Sequence, residues 1–327
     1  MSLSCYKSYG DLYADYLEKH HVFVERLVMF DKPRRQFPSK LDVVFAEIVS
    51  LLKLLFCLGK LRRKKIFCTG SHFSILFLFR VFPFLQETSS LYIHNFYLHS
   101  LGNNVYVKRI LSFLLDSKNV TIICQTPGEI DYYSALSSKV KLFFVPYCSD
   151  YFPSSQISQP RENFVFTGGY TNRDYALIKE LANRHAEKQF VIVASDLNKD
   201  LKNMPENCVI YKNLSSVEFH KRMDAAQIVI IPLKEDVGSS GQMLCIAAMR
   251  HKKPIVYADA SSINYYFTPD FGFPYSIGDA DSLDTAFSKC LTSMGSDDIG
   301  KLAYERSLDF TLEKCFEQFN EILKIEL

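Results

Sequence analysis

The sequence lacks several patterns that would assign a function directly. Its nine cysteines form no CxxC pair and no Cys/His spacing typical of a metal site, so we expect reduced cysteines and no metal. No apolar run reaches the roughly 18 residues of a membrane-spanning helix, and the N-terminus lacks the basic-then-apolar order of a signal peptide. These absences predict a cytoplasmic protein.

Acidic residues are few in the first half of the chain. Residues 1–150 contain 19 Lys and Arg against 12 Asp and Glu, whereas the remainder contains 19 against 24, for a net charge of +2. Because the chain has no continuous basic track, we expect no nucleic-acid partner. Much of the excess lies just before an aromatic stretch, at Lys60, Arg62, Arg63, Lys64 and Lys65.

That basic, apolar stretch has two interpretations. It can contact an anionic membrane surface, with the protein peripheral at the inner face of the plasma membrane. It can equally be a buried helix that ends in solvated cations, which the helix dipole favours.

The periodicity predicts an α/β protein with two domains. In the second half, short apolar runs at 163–169, 190–195, 208–213, 228–232 and 254–259 alternate with helical patterns, which indicates a doubly wound parallel sheet. The first half has candidate strands at 65–69, 91–94, 120–124 and 140–146, and candidate helices at 41–61, 105–115 and 129–136. We predict domains at 1–147 and 163–300, a Ser- and Pro-rich linker at 148–162, and C-terminal helices at 301–327.

Two turns of the second half suit an anion. The first is "TGGYTNRDY", in which Gly168 and Gly169 allow a close backbone approach and Arg173 can donate to phosphate oxygens. Asn172 is a further candidate for donor binding. The alternative is that Asn172 or Thr171 only caps the following helix. Arg173 would then pair with a surface carboxylate.

The second turn is "EDVGSSGQM", which precedes a helix. Ser239, Ser240 and Gly241 can offer hydroxyls and backbone N–H groups to a diphosphate, and Gln242 can hydrogen-bond a sugar hydroxyl. The alternative is ordinary N-capping by serine. Neither turn matches GxxxxGK[ST] or GxGxxG.

The three stretches "FVFTGGYTNRDYALIKEL", "VIYKNLSSVEFHKRMDAAQIVIIPL" and "SSGQMLCIAAMRHKKPIVYAD" together carry a family resemblance. In order and spacing, residues 163–293 resemble the donor-binding domain of GT-B-fold glycosyltransferases, especially the retaining, family-four-like group. The resemblance implies two Rossmann-like domains facing each other across a cleft, a nucleotide-sugar donor, and no metal cofactor. It also places Asn213 and Leu214 near the nucleotide base.

The sequence departs from that family at one point. Two glutamates usually bracket the signature, and Ser239 and Ala247 occupy their places here. Glu235 or Asp236, just before the turn, can supply a carboxylate from a shifted position. Retention of anomeric configuration is therefore not carried over.

The resemblance implies attack by an acceptor hydroxyl with loss of a nucleoside diphosphate. Arg173 would stabilise the charge on the leaving phosphate, and His72 or His94, at the ends of two predicted strands, would accept the proton. Either histidine can instead be a capping or packing residue. We predict a glycosyltransferase of the hexosyltransferase type that extends a lipid-linked saccharide in surface polysaccharide or glycolipid synthesis. One alternative is a catalytically silent nucleotide-sugar-binding protein, and the other is a nucleotide-sugar 2-epimerase.

Overall fold

The computed structural model describes residues 9–26, 40–70, 72–96, 104–153, 162–196, 198–236, 238–293 and 298–327. The chain divides into two compact units, Met1–Pro146 with Phe316–Leu327, and Tyr147–Cys315. Residues 154–161 of the predicted linker lie outside the described residues. The C-terminal helices, which the sequence left without a domain, divide between the two units.

Unit 1 is built on a parallel sheet in the order β1-β2-β3-β4. Its strands are β1 (Lys65–Thr69), β2 (Ser90–His94), β3 (Val120–Cys124) and β4 (Lys141–Phe144). Its helices are α1 (Tyr9–Lys19), α2 (Lys40–Phe56), α3 (Leu58–Leu61), α4 (Phe73–Val81), α5 (Pro83–Thr88), α6 (Val105–Leu115) and α7 (Pro127–Ser134). The single helix predicted at 41–61 is wrong, because the chain breaks at Cys57 into α2 and α3.

Unit 2 contains a six-stranded parallel sheet in the order β10-β9-β8-β5-β6-β7. Its strands are β5 (Phe164–Gly168), β6 (Gln189–Ala194), β7 (Cys208–Lys212), β8 (Ile228–Ile231), β9 (Ile255–Ala258) and β10 (Gly272–Tyr275). Its helices are α8 (Tyr175–Arg184), α9 (Ser216–Ala225), α10 (Gln242–Arg250), α11 (Ala280–Ser293), α12 (Asp298–Ser307) and α13 (Leu312–Leu323), the last of which continues into unit 1.

The strand order of unit 2 defines where a ligand can bind. From β5 the chain adds β6 and β7 on one side, then returns to add β8, β9 and β10 on the other. The strand order therefore reverses between β5 and β8. Open α/β sheets bind ligands at the carboxyl ends of the strands at such a switch point.

Burial explains why these runs are strands. Every residue of β5, β8 and β9 is buried, as expected for parallel strands covered on both faces. The predicted doubly wound sheet is confirmed. After β9 the chain forms a short 3₁₀ turn at Asn264–Tyr266.

Helix α9 begins with a capping box. The Ser215 hydroxyl accepts from the Glu218 backbone N–H at 3.3 Å, and the Glu218 carboxylate accepts from the Ser215 backbone N–H at 3.3 Å. Two otherwise unpaired donors are satisfied by this pair.

We expect Ser215→Ala to lower the free energy of unfolding by about 1 kcal/mol, since an N-cap oxygen is lost. Ser216→Ala is the matched control: it changes the neighbouring serine, at the first position of the helix, and should leave stability nearly unchanged. Urea denaturation of both variants measures the difference. Equal effects of the two changes would contradict the capping role.

Candidate functional site

The two turns singled out in the sequence lie side by side at the switch point. Arg173, after β5, forms an isolated antiparallel bridge with Leu233, after β8. The Asp174 backbone N–H donates to the Pro232 carbonyl at 3.1 Å. Strands β5 and β8 are neighbours in the sheet, so their carboxyl-terminal turns meet at one edge.

Asn172 joins the two turns through its side chain. Its amide Nδ2 donates to the Glu235 carbonyl at 2.8 Å, and its Oδ1 accepts from the Glu235 backbone N–H at 3.1 Å. Asn172 has φ 54°, in the left-handed region that asparagine tolerates better than most residues. The predicted capping role for Asn172 or Thr171 is wrong, because the Asp174 side chain caps α8 by accepting from the Leu177 N–H.

The Arg173 side chain folds back beneath the glycine turn. Its Nε donates to the Gly168 carbonyl at 2.9 Å, and its Nη1 donates to the Thr171 carbonyl at 2.8 Å. A Cβ on Gly169 (φ 113°) would lie 2.7 Å from the guanidinium, and one on Gly168 would lie 2.7 Å from the Phe219 ring. Both positions therefore require glycine.

The charge of Arg173 has no counter-ion among the described residues. It forms no ion pair there, so the predicted alternative of a surface carboxylate partner is wrong. Burial lowers the pKa of Arg173, yet a guanidinium stays protonated at neutral pH. Two of its five N–H groups are used by carbonyls, and an anion at this edge would compensate the cation.

The helix that follows the second turn begins without a side-chain cap. Its N-cap is Gly241 (φ 90°), so the predicted alternative of serine capping is wrong. A Cβ on Gly241 would lie 3.0 Å from Ile263, which adds a steric reason for glycine to its backbone angle. The start of α10 therefore lacks a side-chain cap, a feature that a helix N-terminus binding an anion through its backbone N–H groups would share.

Three polar residues of this loop do not all act as the sequence suggested. Gln242 is 4% exposed, and its amide donates to the Ser262 carbonyl at 3.3 Å, so that donor is used within the protein. Ser240 is buried as well, and its carbonyl accepts from the Ser262 hydroxyl at 3.1 Å. Ser239 is half-buried and remains a candidate.

The two carboxylates before the loop, Glu235 and Asp236, differ in their hydrogen-bond partners. Asp236 accepts from both the backbone N–H and the hydroxyl of Ser261, at 2.9 and 2.8 Å. It is a structural brace for the loop. Both residues are exposed, but Asn172 holds Glu235 only through its backbone, so Glu235 stays the candidate carboxylate of this loop.

Sequence reasoning missed Ser261 and Ser262, which brace the loop from the end of β9. The signal was present as the polar pair in "YADASS", directly after a buried strand.

The predicted base-contact residues lie at the ends of β6 and β7. Asn213 has φ 53°, and its amide donates to Asp196 at 2.8 Å. Its backbone N–H donates to the Ala194 carbonyl at 3.0 Å. Leu214 follows and is half-buried. These residues share the carboxyl edge of the sheet with the two anion turns.

The two histidines of unit 1 have different environments. His72 is half-buried at the N-cap position of α4, with Nε2 2.9 Å from the Thr69 carbonyl. A carbonyl cannot donate, so Nε2 carries the proton and Nδ1 keeps a lone pair. His94 is 1% exposed and packs against Phe319, which favours the packing interpretation over a catalytic one. Burial lowers the pKa of His94 to about 3.

The basic residues after α3 are largely engaged with their own unit. Lys60 and Lys64 lie 3.7 and 3.8 Å from the Glu25 carboxylate, and Lys65 donates to the Lys324 carbonyl. Arg62 and Arg63 are exposed.

No family model and no curated protein matches this chain, but solved structures do. A glycosyltransferase from Rickettsia africae is 12% identical, with a TM-score of 0.62 over 95% of this chain and 86% of that one. Anabaena Alr3699/HepE, solved with UDP and glucose, is 15% identical, with a TM-score of 0.64 over 95% and 88%. An Escherichia coli trehalose-6-phosphate structure bound with UDP-2-fluoro glucose is 13% identical, with a TM-score of 0.63 over 89% and 80%.

The chain has the GT-B fold. This confirms the fold that the three sequence stretches implied. Within the GT-B fold, the switch-point turns of unit 2 are the candidate donor site, although the sequence identities are too low to transfer any residue's role.

We expect Asn172→Gly to loosen the loop at 232–236. Glycine keeps the left-handed backbone but removes both hydrogen bonds to Glu235, so amide hydrogen exchange at Glu235 should become at least tenfold faster, which corresponds to about 1.4 kcal/mol of local opening free energy. Asn203→Gly is the matched control, since Asn203 is exposed and also has a positive φ of 56°. Unchanged exchange at Glu235 would contradict the brace.

We expect His94 to make stability fall in acid. Its folded pKa of about 3 lies below the usual 6.5, so the unfolded chain binds the proton first and folding is penalised as pH drops below 6.5. Between pH 7.5 and 5.0 the wild type should lose about 2 kcal/mol more unfolding free energy than His94→Gln. The exposed His20→Gln serves as control, and an equal loss in all three proteins would refute the assignment.

Proposed function

We propose that this protein is a glycosyltransferase that moves a hexose from a UDP-sugar to a saccharide acceptor. The observation that carries the proposal is Arg173, a cation without a carboxylate partner in the described chain, at the switch point beside the uncapped start of α10. The donor class is supported by GT-B structures solved with UDP and glucose or with UDP-2-fluoro glucose.

The proposed chemistry needs a stabiliser for the departing diphosphate. The acceptor hydroxyl attacks the anomeric carbon, the bond from that carbon to the phosphate oxygen breaks, and negative charge grows on the diphosphate. Arg173 and the N–H groups at the start of α10 would bind that charge. We therefore propose that no metal is required.

The remaining roles follow from exposure and hydrogen bonding. Glu235, held by Asn172 through its backbone, would accept hydrogen bonds from donor-sugar hydroxyls. Ser239 would donate to the diphosphate, and Asn213 and Leu214 would contact the base. His72, whose Nδ1 keeps a lone pair, would accept the proton of the acceptor hydroxyl.

We propose a lipid-linked saccharide as the acceptor, in surface polysaccharide or glycolipid synthesis at the inner face of the plasma membrane. The support is the basic character of residues 1–150 and the exposure of Arg62 and Arg63. No helix in the described part of the chain is both long and apolar enough to cross a membrane.

The alternative is a protein that binds nucleotide-sugars without turning them over. It is favoured by one observation: the two places that carry glutamates in the family resembled are Ser239 and Ala247, and Ala247 is 8% exposed within α10.

We expect Arg173→Ala to reduce kcat for UDP release from a panel of UDP-hexoses by about 10²- to 10³-fold, as when one transition-state donor is removed. Arg184→Ala, which removes an exposed arginine of α8 paired with Asp281, is the matched control and should retain activity. UDP binding by calorimetry and a thermal melt separate catalysis from folding.

Two results would contradict the proposal. UDP binding without turnover of any donor, with a lipid extract or free saccharides as acceptors, would favour the silent binding protein. The phosphate stabiliser would lie elsewhere if Arg173→Ala left turnover intact. The same conclusion would follow if chelation abolished turnover and a divalent cation restored it.

A further inference from the structure

Three helices of unit 1 form one layer with an apolar outer side. Helix α4 packs against α2 on one side and against α6 on the other. Their inner residues, such as Leu54, Leu76 and Leu111, are buried in the unit 1 core. Helices α2, α4, α5 and α6 carry exposed large hydrophobic residues that we call together the apolar helix face. They are Val44, Phe45, Ile48, Leu52, Leu55, Phe56, Phe77, Val81, Phe84, Val105, Tyr106, Ile110 and Phe113.

The concentration of these side chains is unusual for a surface facing only water. Of the 24 exposed large hydrophobic residues in the described chain, these 13 lie between residues 44 and 113. Phe56 is 91% exposed and Tyr106 is 73% exposed. Isolated exposed hydrophobic residues are normal, whereas a group on adjacent helices marks an interaction surface.

The same segment is strongly cationic, which selects the partner. Residues 44–113 contain nine Lys and Arg and two Asp and Glu. One of the two acids, Glu47, accepts from the Ser74 backbone N–H at 2.8 Å. On α4, Arg80 lies over the Phe113 ring at 4.6 Å, donates to the Phe113 carbonyl and lies 3.7 Å from the Asp116 carboxylate, so the cations that face solvent without an acidic neighbour in the described chain are those such as Arg62 and Arg63.

A second copy of this chain is a poorer partner than a lipid surface. A symmetric dimer would place the same patch on both sides of the interface, and like positive charges would then meet. Anionic lipid headgroups complement the cations, and acyl chains accept the aromatic and aliphatic side chains.

We propose that the apolar helix face docks on an anionic lipid membrane. Phe56, Tyr106 and Phe113 enter the boundary between headgroups and acyl chains, and Arg62 and Arg63 contact lipid phosphates. The sequence singled out only the basic cluster at 60–65; in this proposal that cluster is the rim, and the apolar face supplies the contact. The inference deepens the proposed function by placing the enzyme on the surface that carries a lipid-linked acceptor.

The test is flotation of the purified full-length protein with two kinds of vesicle. One is phosphatidylcholine alone, which is neutral, and the other contains about 30% phosphatidylglycerol, which is anionic, so the comparison measures the dependence of binding on negative charge. We expect binding to the anionic vesicles that weakens at high salt. The triple variant Leu52→Ser, Phe56→Ser, Phe113→Ser should lower the partition coefficient at least tenfold. The variant Arg62→Glu, Arg63→Glu should weaken binding to anionic vesicles only.

The matched control is Val217→Ser with Leu302→Ser, which removes two exposed hydrophobic residues of unit 2 and should bind like wild type. All substituted positions are exposed or lie on the surface rim, and a thermal melt checks that each variant folds. Absence of wild-type binding, or equal binding of the triple variant, overturns the proposal. So does a dimer, seen by sedimentation without vesicles, that the triple variant dissociates.

The outcome is separable from that of the proposed function. UDP binding and UDP release with soluble acceptors are measured without vesicles, where the triple variant should match wild type. Vesicle binding without UDP binding would overturn the glycosyltransferase proposal and support the membrane-docking proposal. UDP turnover without vesicle binding would support the glycosyltransferase proposal and overturn the membrane-docking proposal.

Discussion

The candidate donor site of unit 2 depends on the contact between the turn after β5 and the loop after β8. The Arg173–Leu233 bridge and the paired Asn172–Glu235 hydrogen bonds join them. Both segments would otherwise be independent surface loops, since each follows the carboxyl end of a strand. Joined, they bring Arg173, the uncapped start of α10 and the exposed Glu235 to one edge of the sheet.

Glycines and polar side chains of the two segments stabilise that contact. Side chains at Gly168 or Gly169 would displace Phe219 or Arg173. Asp236 accepts two hydrogen bonds from Ser261, and Ser262 donates to the Ser240 carbonyl. A preorganised set of donors stabilises developing charge without the cost of reorganisation, so this bracing would suit the phosphate departure of the proposed reaction.

Unit 1 is organised by a different constraint. Four parallel strands are covered by helices whose inner faces build one core, while α2, α4 and α6 keep large apolar side chains on their outer faces. Folding does not require those outer residues to be apolar. In the described part of unit 1, their presence beside a cationic excess is the combination that supports the proposed membrane contact.

The sequence by itself determined the strands, most helices, the doubly wound sheet of unit 2 and the two candidate turns, because apolar periodicity, capping residues and glycine act over a few neighbours. It could not determine that Gln242 bonds to Ser262 and that Asp236 bonds to Ser261, since both serines arrive from the end of β9. Nor could it separate His72 from His94, because burial of His94 comes from Phe319, over two hundred residues away in the chain. Such contacts are set by strand order and helix packing, and only the tertiary structure decides them.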